Sequence, residues 1–376
     1  MTKKEIAIII ISVQIYGEVA QLARASGSYP AGHVFESHLR YQTNKEFERT
    51  LFVLIQEEKM IVQILFILLG FVLLIKGADI LVNGSSAIAK KLRISEIVIG
   101  LTIVSIGTSM PELFVSTTSA LQGASDISVG NVIGSNICNL LLILGLSSLI
   151  HPVKFHKQTK LIENPMSILL TLIFVLMCNI NQDISRIEGI ILLIFFIAFL
   201  IYTIVIGKKT KDEAILEISL EEAKKISVVK NLVLIILGIA GLKIGGDLVV
   251  ENAKLVAIAL NISEKIIGLT IVAIGTSLPE LVTSLTAAIK GESDIAIGNI
   301  IGSNIFNLLF IIGVSAVITP ITYNISYNFD VIILFVAMIL MCIFPFIKPK
   351  DEMSRSNGLI YTLIYIIYML VLIFKK

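Results

Sequence analysis

A 54-residue segment, Ile94–Ser147, occurs a second time as Ile262–Ser315, displaced by 168 positions without a gap, and 36 of its positions are identical. The register extends outward, with Asp79 matched by Asp247 and Pro152 by Pro320. Whatever this chain folds into is one unit used twice. The unit is apolar. A stretch of about 18 or more apolar residues can cross a bilayer as a helix. Ten such stretches occur, near Ile61–Val82, Glu96–Leu121, Ile127–Ile150, Pro165–Asn181, Glu188–Ile206, Val229–Val250, Glu264–Ile289, Ile295–Ile318, Phe329–Phe346 and Leu359–Phe374. Five spans per unit is an odd number, so the second copy enters the membrane from the opposite side. Inverted repeats of this kind are a hallmark of secondary transporters. The expected fold is an all-α polytopic membrane protein, ten transmembrane helices arranged as two inverted five-helix repeats.

Composition excludes the other classes. The chain is 56% hydrophobic and 15% charged, against roughly 45–50% and about 25% for soluble domains, so a soluble enzyme is ruled out. Thirty Lys and Arg balance 28 Asp and Glu, which leaves no electrostatic footprint for nucleic acid. The three cysteines, Cys138, Cys178 and Cys342, lie in apolar runs without the spacing of a disulfide framework or a zinc site.

Lys and Arg collect in cytoplasmic loops. With the amino end of the first span outside, the inner loops after residue 60 hold 16 of them and the outer side 5. The expected organisation is a first repeat over residues 60–206, a cytoplasmic loop over 207–228 and a second repeat over 229–376, in a cell membrane. The loop has an acidic, helix-forming centre and is too short for a folded sensor domain. Residues 1–59 do not fit the repeat. They read as a signal peptide (Lys3–Lys4, then the apolar run Ile6–Val13), as a regulatory tail, or as spurious translation of a transfer-RNA-like gene around Val34-Phe35-Glu36-Ser37, with the true start at Met60.

Inside the spans the polar residues recur in pairs. Gly107-Thr108-Ser109-Met110-Pro111-Glu112 returns as Gly275-Thr276-Ser277-Leu278-Pro279-Glu280. Proline in a helix interior removes a hydrogen bond and clashes with the preceding turn, so each helix should break here and turn free carbonyls inward. Irregular backbone at membrane depth is tolerated only beside a cavity or buried protein. A carboxylate at that depth costs at least a few kcal/mol and is a functional residue by default; neither copy supplies a base for Glu112 or Glu280. In the next helix Asn131, Ser135 and Asn139 share one face, matched by Asn299, Ser303 and Asn307. Gly130, Gly134 and Gly302 would let that face approach a neighbour closely. Single Ser, Thr or Asn residues here can equally be helix glue, and Asp79, Asp247, Lys76 and Lys243 read as pairing or snorkelling residues near helix ends. The donor set is all oxygen, which suits hard cations and disfavours zinc and copper. No nucleophile–base pair suggests an enzyme.

The paired GTSMPE/GTSLPE strings, each followed by GNVIGSNICN/GNIIGSNIFN, resemble the alpha repeats of the calcium/cation antiporter superfamily, specifically sodium/calcium exchangers. The resemblance runs from about Met60 to the carboxyl end. It implies four central cation sites, alternating access and electrogenic exchange of sodium for calcium, with the ions as cargo, no cofactor, and no obligate protein partner. By position it implies that Glu112 and Glu280 bind calcium and share sodium, and that Thr108 and Thr276 complete the calcium site. Sodium would use Ser109, Ser277, Ser135, Ser303 and the carbonyls of Ser105 and Ala273, with Asn139 lining the centre. Asn307 stands where potassium-dependent members carry aspartate, so potassium cotransport is not expected. A proton/calcium antiporter and a cation channel are the competing readings.

Overall fold

The computed structural model describes residues 32–92, 94–123, 125–209, 226–260 and 273–374, without the side chains of 32–59, 125–126, 206–209 and 273. The signal-like run Ile6–Val13, the centre of the 207–228 loop, and residues 264–272 of the seventh expected span lie outside them. The chain forms two units, Met1–Leu65 and Phe66–Lys376. Within the described residues the first holds only the amino-terminal part of helix α1 (Gly32–Leu92); the second holds every other element.

The expected spans appear as helices where they are described. Met60–Leu92 of α1 is followed by the pair α2 (Glu96–Thr108) and α3 (Met110–Leu121), then α4 (Ile127–Ile150), α5 (Thr159–Asn181), α6 (Arg186–Val205), α7 (Val228–Ala259), α8 (Leu278–Ile289), α9 (Ser293–Ile318), α10 (Ile325–Phe346) and α11 (Arg355–Phe374). Among the described residues eight helices are long and apolar enough to cross a membrane, and α2 with α3, bent by 48°, makes a ninth. The bend falls at Ser109, one residue before the proline-bearing first turn of α3; Ser277 opens α8 in the same way, with Pro279 in its first turn. Both breaks come from the missing proline N–H.

Burial separates two classes of helix. α4 and α9 bury most of their residues inside the protein and supply Ile133, Ile137, Leu140, Ile300, Ile305 and Leu308 to the main core. On the outer helices apolar side chains point away from the protein, as with Phe66 and Leu69 on α1, Ile194 and Ile197 on α6, and Ile236 and Leu237 on α7. That inside-out pattern is stable where the solvent is hydrocarbon.

Two short strand pairs reveal the symmetry. β1 (Val153–Lys154), between α4 and α5, pairs with β4 (Glu352–Met353), between α10 and α11. β2 (Asp183–Ile184), between α5 and α6, pairs with β3 (Ile321–Thr322), between α9 and α10. The 168-residue offset carries β1 onto β3, and an offset of 169 carries β2 onto β4. Each pairing is therefore the image of the other, down to the flanking bonds Phe155 N–H to Asp351 O and Tyr323 N–H to Gln182 O, both 2.8 Å. Helix α5 separates β1 from β2, so the two pairs lie at opposite ends of the bundle. β1 and its repeat image β3 are then at opposite ends too, which is the inverted relation the odd span count demands.

Glycines set the closest helix crossings. A Cβ on Gly77 of α1 would lie 2.8 Å from the Leu242 backbone nitrogen of α7, and one on Gly245 would lie 2.7 Å from the Gly70 carbonyl. A Cβ on Gly302 would be as tight, 2.8 Å from the Leu101 backbone, whereas one on Gly134 would meet no described atom within 4 Å beyond its own helix backbone. Of the expected end-of-helix pairings, Lys243 holds Asp247 at 2.5 Å, but Asp79 is held by Lys290 at 2.6 Å rather than by Lys76. Gly77→Ala and Gly245→Ala should each destabilise the protein by about 1–3 kcal/mol, because backbone cannot yield as a side chain can. Gly246→Ala, whose nearest neighbour would be 3.9 Å away, should be close to neutral. Melting temperatures in detergent check this; equal values for all three would remove the seam from the account.

Candidate functional site

The breaks at Ser109 and Ser277 place Glu112 and Glu280 in the first turns of α3 and α8, facing α4 and α9. Both carboxylates are essentially fully buried, at 0% and 1% exposure. Among the described residues no Lys, Arg or His pairs with either. Their contacts are hydroxyl groups, and they cross between copies: Ser109 Oγ donates to Glu280 Oε1 at 2.7 Å, and Ser277 Oγ donates to Glu112 Oε1 at 3.3 Å. Ser135 Oγ reaches Glu112 Oε1 at 3.5 Å, and Ser109 Oγ also meets Ser303 Oγ at 3.0 Å. Each carboxylate thus has one oxygen engaged by hydroxyls, while Glu112 Oε2 and Glu280 Oε2 are buried without a partner among the described residues.

The remaining expected residues fall around this pair. Asn139 and Asn307 sit in π-helical turns, Cys138–Leu144 of α4 and Phe306–Ile311 of α9, a local widening that recurs at functional positions in helices. Their Oδ1 atoms are buried and have no partner among the described residues, and the same holds for Thr276 Oγ1. Bare buried acceptors cost free energy unless something fills their lone pairs. The Thr108 hydroxyl has one proton to give, within reach of Asn299 Oδ1 at 3.0 Å and of the Ser105 carbonyl at 3.3 Å. The Ser105 carbonyl accepts Ser109 N–H at 3.0 Å, so one of its lone pairs is committed to the backbone and the other meets only that shared hydroxyl. Ala273 opens the single turn Ala273–Gly275; its side chain lies outside the described set.

The face expected to carry ligands divides in two. Asn131 and Asn299 work as struts: their amides donate to Ser116 Oγ and Ser284 Oγ at 3.0 and 2.9 Å, and to the Glu112 and Glu280 carbonyls at 3.4 Å. Ser116 and Ser284 escaped the sequence reading, as did Asn136 and Asn304. The signal that finds them is the one that found the others, since each pair is identical at the 168-residue offset. Chemically the centre is a buried set of carboxyl, carboxamide and hydroxyl oxygens with no protein counter-charge among the described residues, a set that fits hard cations.

Comparison with known proteins agrees with that chemistry. The family profile of the sodium/calcium exchanger protein matches residues 62–205 and 230–374. A sodium/calcium exchanger of Methanosarcina acetivorans is 32% identical over 350 residues, covering 83% of this chain and 99% of that protein. The inner membrane protein YrbG of Escherichia coli is 33% identical over 318 residues, covering 83% and 97%. Among solved structures, the sodium-calcium exchanger NCX_Mj superposes with a TM-score of 0.72 at 35% identity, over 83% of this chain and 99% of its own.

Replacing either carboxylate by its neutral isostere separates binding from folding. Glu112→Gln or Glu280→Gln should each cost calcium binding about 2.5–3.5 kcal/mol, near a hundredfold. Neither should lower the ion-free melting temperature, since each removes an unpaired buried charge. Titration calorimetry and thermal unfolding of the purified variants read the two effects; calcium affinity within a few-fold of wild type would exclude that carboxylate from the site.

Proposed function

The chain belongs to the sodium/calcium exchanger family, and on that premise we propose how its residues divide the work of exchange. It is a multi-pass membrane protein and a secondary cation antiporter that exchanges sodium for calcium, a transporter and not an enzyme. In our reading calcium is held between Glu112 and Glu280, with Thr108 and Thr276 completing its oxygen shell. Two carboxylates neutralise one divalent ion at a depth where water cannot substitute. Sodium ions take the same carboxylates in other combinations, with the hydroxyls of Ser109, Ser277, Ser135 and Ser303 and the carbonyls of Ser105 and Ala273. Asn139 and Asn307 line the position between them. The observation that carries this reading is the pair of buried carboxylates, each with one bare oxygen and no cationic partner among the described residues.

The topology completes it. We read the family's amino end as external and the 207–228 loop as cytoplasmic, because the Lys and Arg count favours that sense. Ten spans agree with the strand pairs. Loops that pair at one end of the bundle are separated by an even number of crossings, and between β1 and β4 the long described helices α5, α6, α7, α9 and α10 supply five. The span ending in α8 would be the sixth. On this reading residues 60–206 and 229–376 are the two repeats, residues 1–59 stand outside the transport unit, calcium and sodium are cargo, and the protein works in a lipid bilayer without a resident cofactor or an obligate protein partner.

Calcium uptake into proteoliposomes under imposed ion gradients tests the function. An outward sodium gradient should drive uptake and an equal proton gradient should not. The membrane potential adds a second signature. With calcium bound the site is neutral; with three sodium ions, the loading the family resemblance implies, it carries +1. Only the sodium-loaded site should then sense voltage directly, by about 2.3 kcal/mol per elementary charge per 100 mV over a full crossing. Sodium-driven calcium flux should change with an imposed potential, rising when sodium movement runs toward the negative side. Equal flux at two clamped potentials, together with drive by protons, would move the assignment to proton/calcium exchange. Calcium flux with no coupled ion would make it a channel.

A further inference from the structure

An asparagine side chain is ambivalent toward a cation. Its oxygen attracts one and its NH2 group repels one, and a half-turn of the amide exchanges them. Asn139 and Asn307 are useful at the centre of a cation site only if something fixes which end faces inward. The structure contains such a device, built from two asparagines one helical turn earlier, both buried at 0–2% exposure.

It starts from the backbone. The carbonyl oxygen of Asn304 can only accept a hydrogen bond, and Asn136 Nδ2 donates to it at 3.2 Å. Asn136 must therefore turn its own oxygen the other way, where it accepts Asn307 Nδ2 at 3.0 Å. With its NH2 group committed to Asn136, Asn307 is left with Oδ1 buried and without a partner among the described residues. The other arm shares the outer bond of this arrangement: Asn139 Nδ2 donates to Asn304 Oδ1 at 3.0 Å, and Asn139 Oδ1 is likewise buried without a partner among the described residues. Each orienting asparagine belongs to the opposite copy from the one it orients, so the device ties α4 to α9 across the pseudo-two-fold axis.

We propose that Asn136 and Asn304 are positioning residues, which turn the carboxamide oxygens of Asn139 and Asn307 into the cation site and keep its centre both neutral and lined with acceptors. This rests on the reading of that centre as the ion pathway. It also explains why an amide suits position 307. A carboxylate there would set acceptor against acceptor at the Asn136 oxygen, a conflict relieved only by a bound proton. Asn307→Asp should therefore acquire a pH dependence beyond that of wild type. Partners behind a metal's direct ligands typically carry roughly 10–100-fold in affinity.

The test is sodium-driven calcium flux in proteoliposomes, with KM and maximal rate measured for wild type, Asn136→Ala, Asn307→Ala and the double variant. Asn136→Ala should raise the calcium KM by roughly 10–100-fold while changing maximal rate far less. In the Asn307→Ala background the same substitution should add less than about twofold, because a residue acting only through Asn307 has nothing left to orient. An unchanged KM in Asn136→Ala, or effects that multiply in the double variant, would overturn the inference while leaving the antiporter reading intact. Wild-type vesicles without sodium-driven flux would instead overturn that reading. If the alanine variant does not insert, the isosteric Asn136→Asp decides. It still accepts from Asn307, but it needs a proton to face the Asn304 carbonyl, so its calcium affinity should fall as pH rises. A pH profile identical to wild type would overturn the inference.

Discussion

Two carboxylates buried without a base create the constraint on which the rest of this structure depends. Glu112 and Glu280 are closed off from solvent, are served only by hydroxyl groups among the described residues, and keep one bare oxygen each. Ionised and uncompensated, such a pair could not persist at membrane depth. On the proposed assignment the compensating charge is the cargo, so the empty site is costly and the loaded site is not. That is the energetic condition an obligatory exchanger needs, because an empty transporter that rarely reorients does not leak. The broken helices, the serines at the breaks and the asparagines behind them all place oxygen atoms around this one unpaid charge.

Duplication supplies the second half of the account. Each glutamate is reached by the serine of the opposite copy, and each central asparagine is oriented by an asparagine of the opposite copy. The site therefore exists only where both repeats meet and neither repeat could bind alone. The two halves nevertheless differ in detail. Ser109 holds Glu280 at 2.7 Å while Ser277 stands 3.3 Å from Glu112. Thr108 is hydrogen-bonded to Asn299, while no described residue makes a hydrogen bond of good geometry to the Thr276 hydroxyl. Inverted repeats around a fixed site that are equal in sequence and unequal in geometry are the raw material of alternating access.

Much of this was legible in the sequence for local reasons. Proline breaks a helix by removing a donor wherever it sits, so the interruptions near Ser109 and Ser277 follow from Pro111 and Pro279. A buried glutamate is expensive in any membrane fold, so Glu112 and Glu280 identify themselves. The serines, threonines and central asparagines were nameable by repeat position. What was not legible is every relation between the copies. No spacing says that Ser109 serves Glu280 rather than Glu112, or that Asn131 and Asn299 are struts while Asn139 and Asn307 point bare oxygens inward. The strand pairs β1–β4 and β2–β3 were also invisible, because two residues are too few to show a period. Gly134 and Gly302, identical in sequence context, meet different surroundings, which no periodicity could have distinguished.

The most direct test of the central claim is to see where calcium sits. An anomalous-scattering map from crystals of the full chain soaked in calcium should show one peak between the two helix breaks, bonded to Glu112 and Glu280 at about 2.3–2.6 Å. That peak should fade as sodium replaces calcium in the soak. A calcium peak that touches only one of the two carboxylates, or none at all there at concentrations that saturate binding, would contradict the account.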